Sequence, residues 1–331
     1  MIQSKKKIII YLLLLMILLS GCNIGGTEVV VNLDSKRTAV FKINGESCTI
    51  AEAKVFLTNY QNIYARMYDV DLWNHDFGDN SLESYVKDIT ISQLAQIKSM
   101  TFLAEKENIS LTEDELSKTK NAAKEYYDSL NDDEIKYMGV DLKTIETLYE
   151  QYGLANKLYN FLTQDVNNEV SEDEARIIDA LQIKVSDQEK AKEIKRRLKD
   201  GEDFMALANS LVSDNEAEDT EVKAGRGFWP AKVEEKVFSL DNGEIANGIK
   251  TDEGYYFVKC INNYNQQLTE ENKSVIVERK RKEAFDDVYD EFVSTLPSEY
   301  NQKAWDAVKI EIDDKITTSG FFETYDKYCK W

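Results

Sequence analysis

Few side chains in this 331-residue chain are of types that do chemistry, and their spacing narrows the field. There are four cysteines and one histidine. Cys48, Cys260 and Cys329 form no CxxC pair, and three thiols cannot all pair with one another. One disulfide among them and three free buried thiols are both open readings. His75 beside Asp76 makes too few ligands for a zinc site and reads as part of a polar surface loop. The acidic run Asp214–Asp219 offers carboxylates to a cation. It lacks the alternating ligands and the glycine of an EF-hand loop, and reads as a solvated loop. No phosphate loop, GxSxG or HExxH occurs, so neither cofactor nor metal is expected. Cys22 stands apart. Lys5, Lys6 and Lys7 precede an apolar run from Ile8 to Leu19, then Ser20 and Gly21, the pattern of a secretory signal over residues 1–21. The run is shorter than the roughly 20 residues that span a membrane.

The elements that must carry these residues are mostly helical. Thr38–Ile43 reads as a short strand ended by an Asn44-Gly45 turn. Thr49 and Glu52 have capping-box spacing, followed by Ala53, Phe56, Tyr60, Ile63 and Met67 on one helical stripe. Helices are expected over about 82–107, after a Thr112–Glu115 box, and within 142–166. Tyr60, Tyr64, Tyr68, Tyr126 and Tyr127 lie in these helices, and either line a client-binding cleft or fill the core with a wet hydroxyl. Near Asn167-Asn168 the composition shifts. Ala180–Val185 reads as a strand, Ser186–Glu189 as a capping box, and Phe204, Leu207, Ala208 and Leu211 as a helical stripe. Gly225–Lys259 then holds five of the fourteen glycines and one of the two prolines, a turn-rich and strand-rich module in a helical chain. Gly243 and Gly254 are placed for turns with positive φ. Helix returns after Asn263, with Phe285, Val288, Phe292 and Leu296 as a stripe that stops at Pro297. Val308–Ile312 alternates like a strand.

Two stretches resemble known families. Leu19-Ser20-Gly21-Cys22 is similar to the lipobox of bacterial lipoproteins, which implies a diacylglyceryl thioether on Cys22 as the mature N-terminus. Two or three acyl chains hold a protein stably on a membrane where one is marginal. Phe204-Met-Ala-Leu207-Ala208 leading to Ser213-Asp214, then Gly225-Arg226-Gly227-Phe228-Trp229, and Phe238-Ser-Leu240, Gly243-Glu-Ile245 and Thr251-Asp-Glu-Gly254 resemble parvulin-type (PpiC) peptidyl-prolyl isomerase domains. The match runs over about 174–263. Set between helical segments, it resembles the PrsA-type extracytoplasmic foldases, relatives of SurA. The resemblance implies an α+β fold. A mainly helical chaperone domain would be built from both chain ends, with a small antiparallel sheet surrounded by helices inserted between them. The expected division is a signal peptide (1–21), a tether (22–37), a helical domain (38–170), a parvulin-like domain (171–263) and a C-terminal helical segment (264–331) packing on the first domain.

Turning a prolyl amide crosses a barrier of about 18–20 kcal/mol and moves no proton. An enzyme needs an apolar pocket for the ring and groups that favour the twisted imide. In the family two histidines sit at the floor of that pocket; Gln182 and Tyr256 stand at those positions. The family's Cys or Asp position falls near Asn215 and its phenylalanine on Val233. Its methionine falls on Trp229, Arg226 replaces a pocket leucine, and Thr251 is kept. Gln182 and Tyr256 are expected to hydrogen-bond each other across adjacent strands, a structural role without histidine's electrostatics. Phe238, Leu240 and Ile245 read as core.

The formal charge is −20 with a pI of about 4.6, which excludes nucleic-acid binding through a basic groove. Cleavage after Gly21 would remove three lysines more, favouring a body that stands off anionic lipid and takes basic clients. The sequence reads as a lipid-anchored extracytoplasmic foldase for unfolded or nascent secreted proteins, with a weak or inactive isomerase domain. An active isomerase with an altered pocket and a non-foldase binding lipoprotein are the alternatives. A homodimer is left open.

Overall fold

The computed structural model describes residues 38–68, 81–213, 220–310 and 313–331. Cys22 with its signal and tether, His75 with Asp76, and the Asp214–Asp219 run with Asn215 lie outside the described residues. Two compact units are present, Met1–Val166 with Arg281–Trp331, and Asn167–Lys280.

The first unit opens on a hairpin. Strands β1 (Ala39–Ile43) and β2 (Glu46–Thr49) turn at Asn44-Gly45, with φ of 50° and 84°. Two consecutive positive φ values match the right-handed strand twist and favour this Asn-Gly pair. Thr49 and Glu52 then form the expected capping box, Thr49 N–H to Glu52 Oε2 at 2.7 Å and Glu52 N–H to Thr49 Oγ1 at 3.2 Å. It starts α1 (Ile50–Tyr68). Four helices follow: α2 (Leu82–Lys106), α3 (Glu113–Ser129), α4 (Asp132–Met138) and α5 (Leu142–Thr163). The Thr112/Glu115 box opens α3, and an unforeseen Asn131/Glu134 box opens α4. Tyr60, Tyr64 and Tyr126 are buried core residues. Glu52 also meets Lys98 of α2 at 3.1 Å, with side chains only 12% and 3% exposed. The Gln151 amide oxygen, 3.3 Å from Lys98 Nζ, supplies a further partner for that ammonium.

The second unit runs through α6 (Glu172–Ala175), β3 (Ile178–Val185), α7 (Gln188–Lys199), α8 (Phe204–Ser213), β4 (Glu221–Ala224), α9 (Ala231–Val237), β5 (Ile245–Thr251) and β6 (Gly254–Asn262). Its strands form one antiparallel sheet in the order β4-β3-β6-β5. Strand alternation sorts the side chains. Leu181, Ile183, Val185 and Phe257 pack with Ala191, Ile194, Phe204, Leu207, Ala208 and Leu211 on one face. Ile178, Ala180, Tyr256, Val258 and Cys260 pack with Trp229, Val233, Val237 and Phe238 on the other. The cap of α7 is Asp187, whose carboxylate accepts the Lys190 N–H at 2.7 Å, one residue beyond the expected Ser186. Ile245 is 37% exposed and not core, because it sits at the outer end of an edge strand.

Helix α10 (Gln266–Val293) carries the chain back into the first unit. Phe285 is fully buried there and stacks on Tyr289 at 5.1 Å. Val288 is 39% exposed, so it leaves the expected stripe. Strand β7 (Ser298–Tyr300) pairs with β1 and completes a sheet in the order β2-β1-β7, joining both chain ends. The strand expected at 308–312 is absent over Val308–Ile310, which are irregular. Two short helices, α11 (Gln302–Asp306) and α12 (Phe321–Tyr328), finish the chain. Trp305 and Phe321 enter the same core as Phe56, Leu94, Tyr126 and Tyr149. Each such fully buried ring contributes roughly 1.5–3 kcal/mol. The architecture is the expected α+β one: a helical body from both chain ends, with an antiparallel sheet module inserted.

Cys48, Cys260 and Cys329 are free and buried, which settles the thiol alternative. Among the described residues no helix is long and apolar enough to cross a membrane.

Candidate functional site

The candidate site is the sheet face of the second unit that carries Gln182 and Tyr256. Register places these two side chains diagonally. Gln182 on β3 lies opposite Val258, while Tyr256 on β6 lies opposite Lys184 of β3 and Ile249 of β5. Diagonal neighbours in a ladder stand about 7–8 Å apart, and each of these polar groups has found a nearer partner. The Trp229 indole N–H donates to Gln182 Oε1 at 3.1 Å. The Tyr256 hydroxyl donates to Glu253 Oε2 at 2.8 Å. The expected bond between Gln182 and Tyr256 is therefore replaced by two others.

Trp229 owes its place to the Gly225-Arg226-Gly227 turn before it and to Pro230 after it, which opens α9. It is 4% exposed and meets Phe238 edge-to-face with centroids 6.3 Å apart. Val233, one turn into α9, is fully buried in the same cluster. The positions expected to grip a prolyl ring are thus occupied by an indole and a valine packed on the sheet. Arg226 does not stand free. Its guanidinium stacks on the Phe238 ring at 4.1 Å and pairs with Asp173 at 2.6 Å. Arg176 lies 4.9 Å from the same ring centroid.

Tyr256 belongs to a three-membered charged group. Lys184 Nζ is 3.2 Å from Glu253 Oε2 and 5.5 Å from the Tyr256 ring centroid. Hydrogen bonds from Tyr256 and Lys184 hold the Glu253 carboxyl below its ordinary range. Burial, then the bond to Glu253, pushes the Tyr256 phenol up. The Glu253 bond also pushes the Lys184 ammonium up. Each group is thereby fixed in its ordinary ionisation state, so none is poised to exchange a proton near neutrality.

The β5–β6 turn positions Glu253. Thr251 and Gly254 are paired, leaving Asp252 and Glu253 as the loop. Thr251 Oγ1 accepts the Glu253 N–H at 3.1 Å and donates to the Gly254 carbonyl at 3.2 Å. Thr251 is thus a turn-former, and the register sets it on the same sheet face as Tyr256. Gly243 and Gly254 have φ of 88° and 130°, as the turn reading required. Cys260, buried in the same cluster with its thiol pushed up by desolvation, is no nucleophile. Sequence reasoning missed Lys184 and Glu253. Lys184 was accessible by alternation, two residues on from Gln182 on the same face. Glu253 was not, because only the turn folds it back under Tyr256.

A PPIC-type PPIase family model matches residues 156–274. The foldase protein PrsA of Caldanaerobacter subterraneus subsp. tengcongensis is 27% identical over 295 residues, covering 80% of this chain and 89% of that one. The PrsA of Geobacillus kaustophilus is 31% identical over 142 residues, 42% of this chain and 48% of its own. Among solved structures, PrsA from Bacillus cereus matches 73% of this chain and 90% of its own at 20% identity, with a TM-score of 0.37. A SurA-like chaperone from Campylobacter jejuni matches 80% of this chain and all of its own at 13% identity, with a TM-score of 0.28. The family model and the relatives support the resemblance to PrsA-type parvulin foldases.

Proposed function

We propose that this chain, a PrsA-type foldase with a PPIC-type domain, is a lipid-anchored extracytoplasmic chaperone whose isomerase site is degenerate. Its clients are unfolded or nascent secreted proteins, and its anchor is an acylated Cys22. The helical unit holds the client, and the parvulin-like unit adds a binding surface with little or no rate enhancement. The observation that carries the second half is the pairing at the cleft floor. Trp229 takes Gln182 Oε1, and Glu253 takes the Tyr256 hydroxyl. A twisted imide needs groups that bind it better than the planar one, and here the polar groups of the floor are already engaged in the ground state.

The test is prolyl isomerisation of a short X-Pro peptide series by the purified full-length protein, beside the Gln182→His/Tyr256→His variant. The wild type should leave the reaction on its uncatalysed timescale of tens to hundreds of seconds. The same preparation should suppress aggregation of a denatured protein. Strong acceleration by the wild type would show that the cleft is catalytic and that Trp229 moves aside for substrate. Failure to suppress aggregation would remove the chaperone reading.

A further inference from the structure

The chain is acidic overall, yet one side of its sheet module is lined with cations. On α7, Lys192, Lys195, Arg196 and Lys199 are exposed, and their i, i+3, i+4, i+7 spacing puts them on one face of the helix. Lys192 and Arg196 are tied to Glu189 and Asp200. Lys195 and Lys199 form no ion pair among the described residues. The Lys195 stem lies on β5. Its Cδ is 4.0 Å from where a Cβ on Gly248 would stand, on the side where Gly248 also meets the Phe257 ring. Strand β5 adds the exposed Lys250, its ammonium 5.7 Å from the Tyr255 ring centroid, and α9 adds the exposed Lys232. Neither has a carboxylate partner among the described residues. From Ile245 to Thr251 the strand holds no acid, and Glu253 in the turn that follows is already taken by Lys184 and Tyr256.

These cations flank an open edge. Strand β5 pairs with β6 alone, so no strand lies along its outer side. Alternate residues of an antiparallel strand turn both main-chain groups to the same side. Lys250 turns its pair outward, because its carbonyl accepts Lys232 Nζ at 3.1 Å. That ammonium stands where the N–H of a further strand would donate. Lysines and bulges, of which β5 has one at Gly248, keep like edges from joining. They do not keep off an anion. The net charge of −20 favours basic clients at long range, but salt screens it beyond about 8–10 Å. At the edge itself, Lys195, Lys232 and Lys250 set the sign.

Resting on the reading that the parvulin-like unit adds a client-binding surface, we propose that this surface is the outer edge of β5 and that it takes an extended, acidic segment of unfolded polypeptide. The segment pairs its main chain with β5 and displaces Lys232 from the Lys250 carbonyl. Its carboxylates then meet Lys195, Lys232 and Lys250. Main-chain bonds supply affinity without reading sequence, and the cations select the client by charge.

The test is fluorescence anisotropy on the full-length protein with a fluorescein-labelled peptide of alternating valine and glutamate. A peptide of alternating valine and lysine is the charge control. The acidic peptide with its main-chain nitrogens methylated keeps the charge and loses the donors for edge pairing. The acidic peptide should bind, and the lysine peptide should not. Methylation should weaken binding about tenfold or more. Lys195→Gln/Lys250→Gln, which alters two exposed side chains, should weaken it about two- to thirtyfold. Bound peptide should slow hydrogen exchange of the outward Lys250 amide about tenfold or more and leave the Tyr256 amide of the central strand unchanged. Equal binding of the methylated peptide would show a face that takes anions of any kind, an anionic membrane included, and would overturn the proposal. No binding of the acidic peptide by a preparation that still suppresses aggregation would overturn it and leave the chaperone reading standing. Loss of both would overturn both.

Discussion

Gly254→Ala should damage the parvulin-like unit far more than its neighbour Gly243→Ala, although both glycines have positive φ. Gly254 sits at φ 130° where β6 begins, and a Cβ there would lie 2.6 Å from the Val185 carbonyl oxygen and 3.2 Å from its carbon. Neither contact is with a flexible side chain, so β3 or β6 must move. A left-handed conformation alone costs roughly 1–3 kcal/mol for a side-chain-bearing residue. Forcing an extra carbon into packed backbone adds roughly 1–3 kcal/mol. Gly243, at φ 88°, has nothing within 4 Å of its Cβ position and incurs only the first cost. The expected losses are about 2–6 kcal/mol for Gly254→Ala and about 1–3 kcal/mol for Gly243→Ala. Hydrogen exchange of the β3 and β6 amides in denaturant, with amides of α5 as an internal reference for the other unit, reads both. Equal losses at the two positions would refute the argument that close approach to β3, beyond the turn's φ, requires glycine at 254.

Lys98→Met leaves the Glu52 carboxylate buried without its cation and should destabilise the helical unit by about 3 kcal/mol, with partial recovery in Glu52→Gln/Lys98→Met; thermal unfolding of the three variants checks it. Trp229→Phe removes the donor to Gln182 Oε1 and should cost about 1–3 kcal/mol in the parvulin-like unit, while Gln182→Leu in that background should restore part of it, read by denaturant titration. Burial pushes the Tyr126 phenol up to about 12. The unfolded chain releases that proton near pH 10 and the folded one near 12. Stability from this group is therefore full below about pH 10 and lost as pH rises through about 12, worth about 2–3 kcal/mol. An alkaline titration following tyrosinate absorbance should show Tyr126 ionising together with unfolding of the helical unit, and Tyr126→Phe should be less sensitive over that window.

Much of this protein is local and can be read from its sequence. The Asn44-Gly45 turn, the Thr49/Glu52 and Thr112/Glu115 caps and the Phe204, Leu207, Ala208 and Leu211 stripe lie where their residues put them. Each depends on partners within a few positions, so spacing alone specifies it. The motif residues of the sheet module likewise fix its strands and turns, with Gly243 and Gly254 at positive φ. Most of the errors are failures of distant partnership; the shift of the α7 cap from Ser186 to Asp187 is a local one. Val288 and Ile245 obey their local patterns, but each stays more than a third exposed. The third strand of the first sheet is Ser298–Tyr300, because β1 offered it an edge; Val308–Ile310, with the better alternation, found none. At the cleft floor, sequence placed Gln182 and Tyr256 on adjacent strands, and that was right. What each bonds was decided by a turn that brings Glu253 back to Tyr256 and by a loop that lays Trp229 over Gln182. A hydrogen-bond donor takes the nearest well-aligned acceptor, and nearness between residues 47 positions apart exists only once the chain has folded.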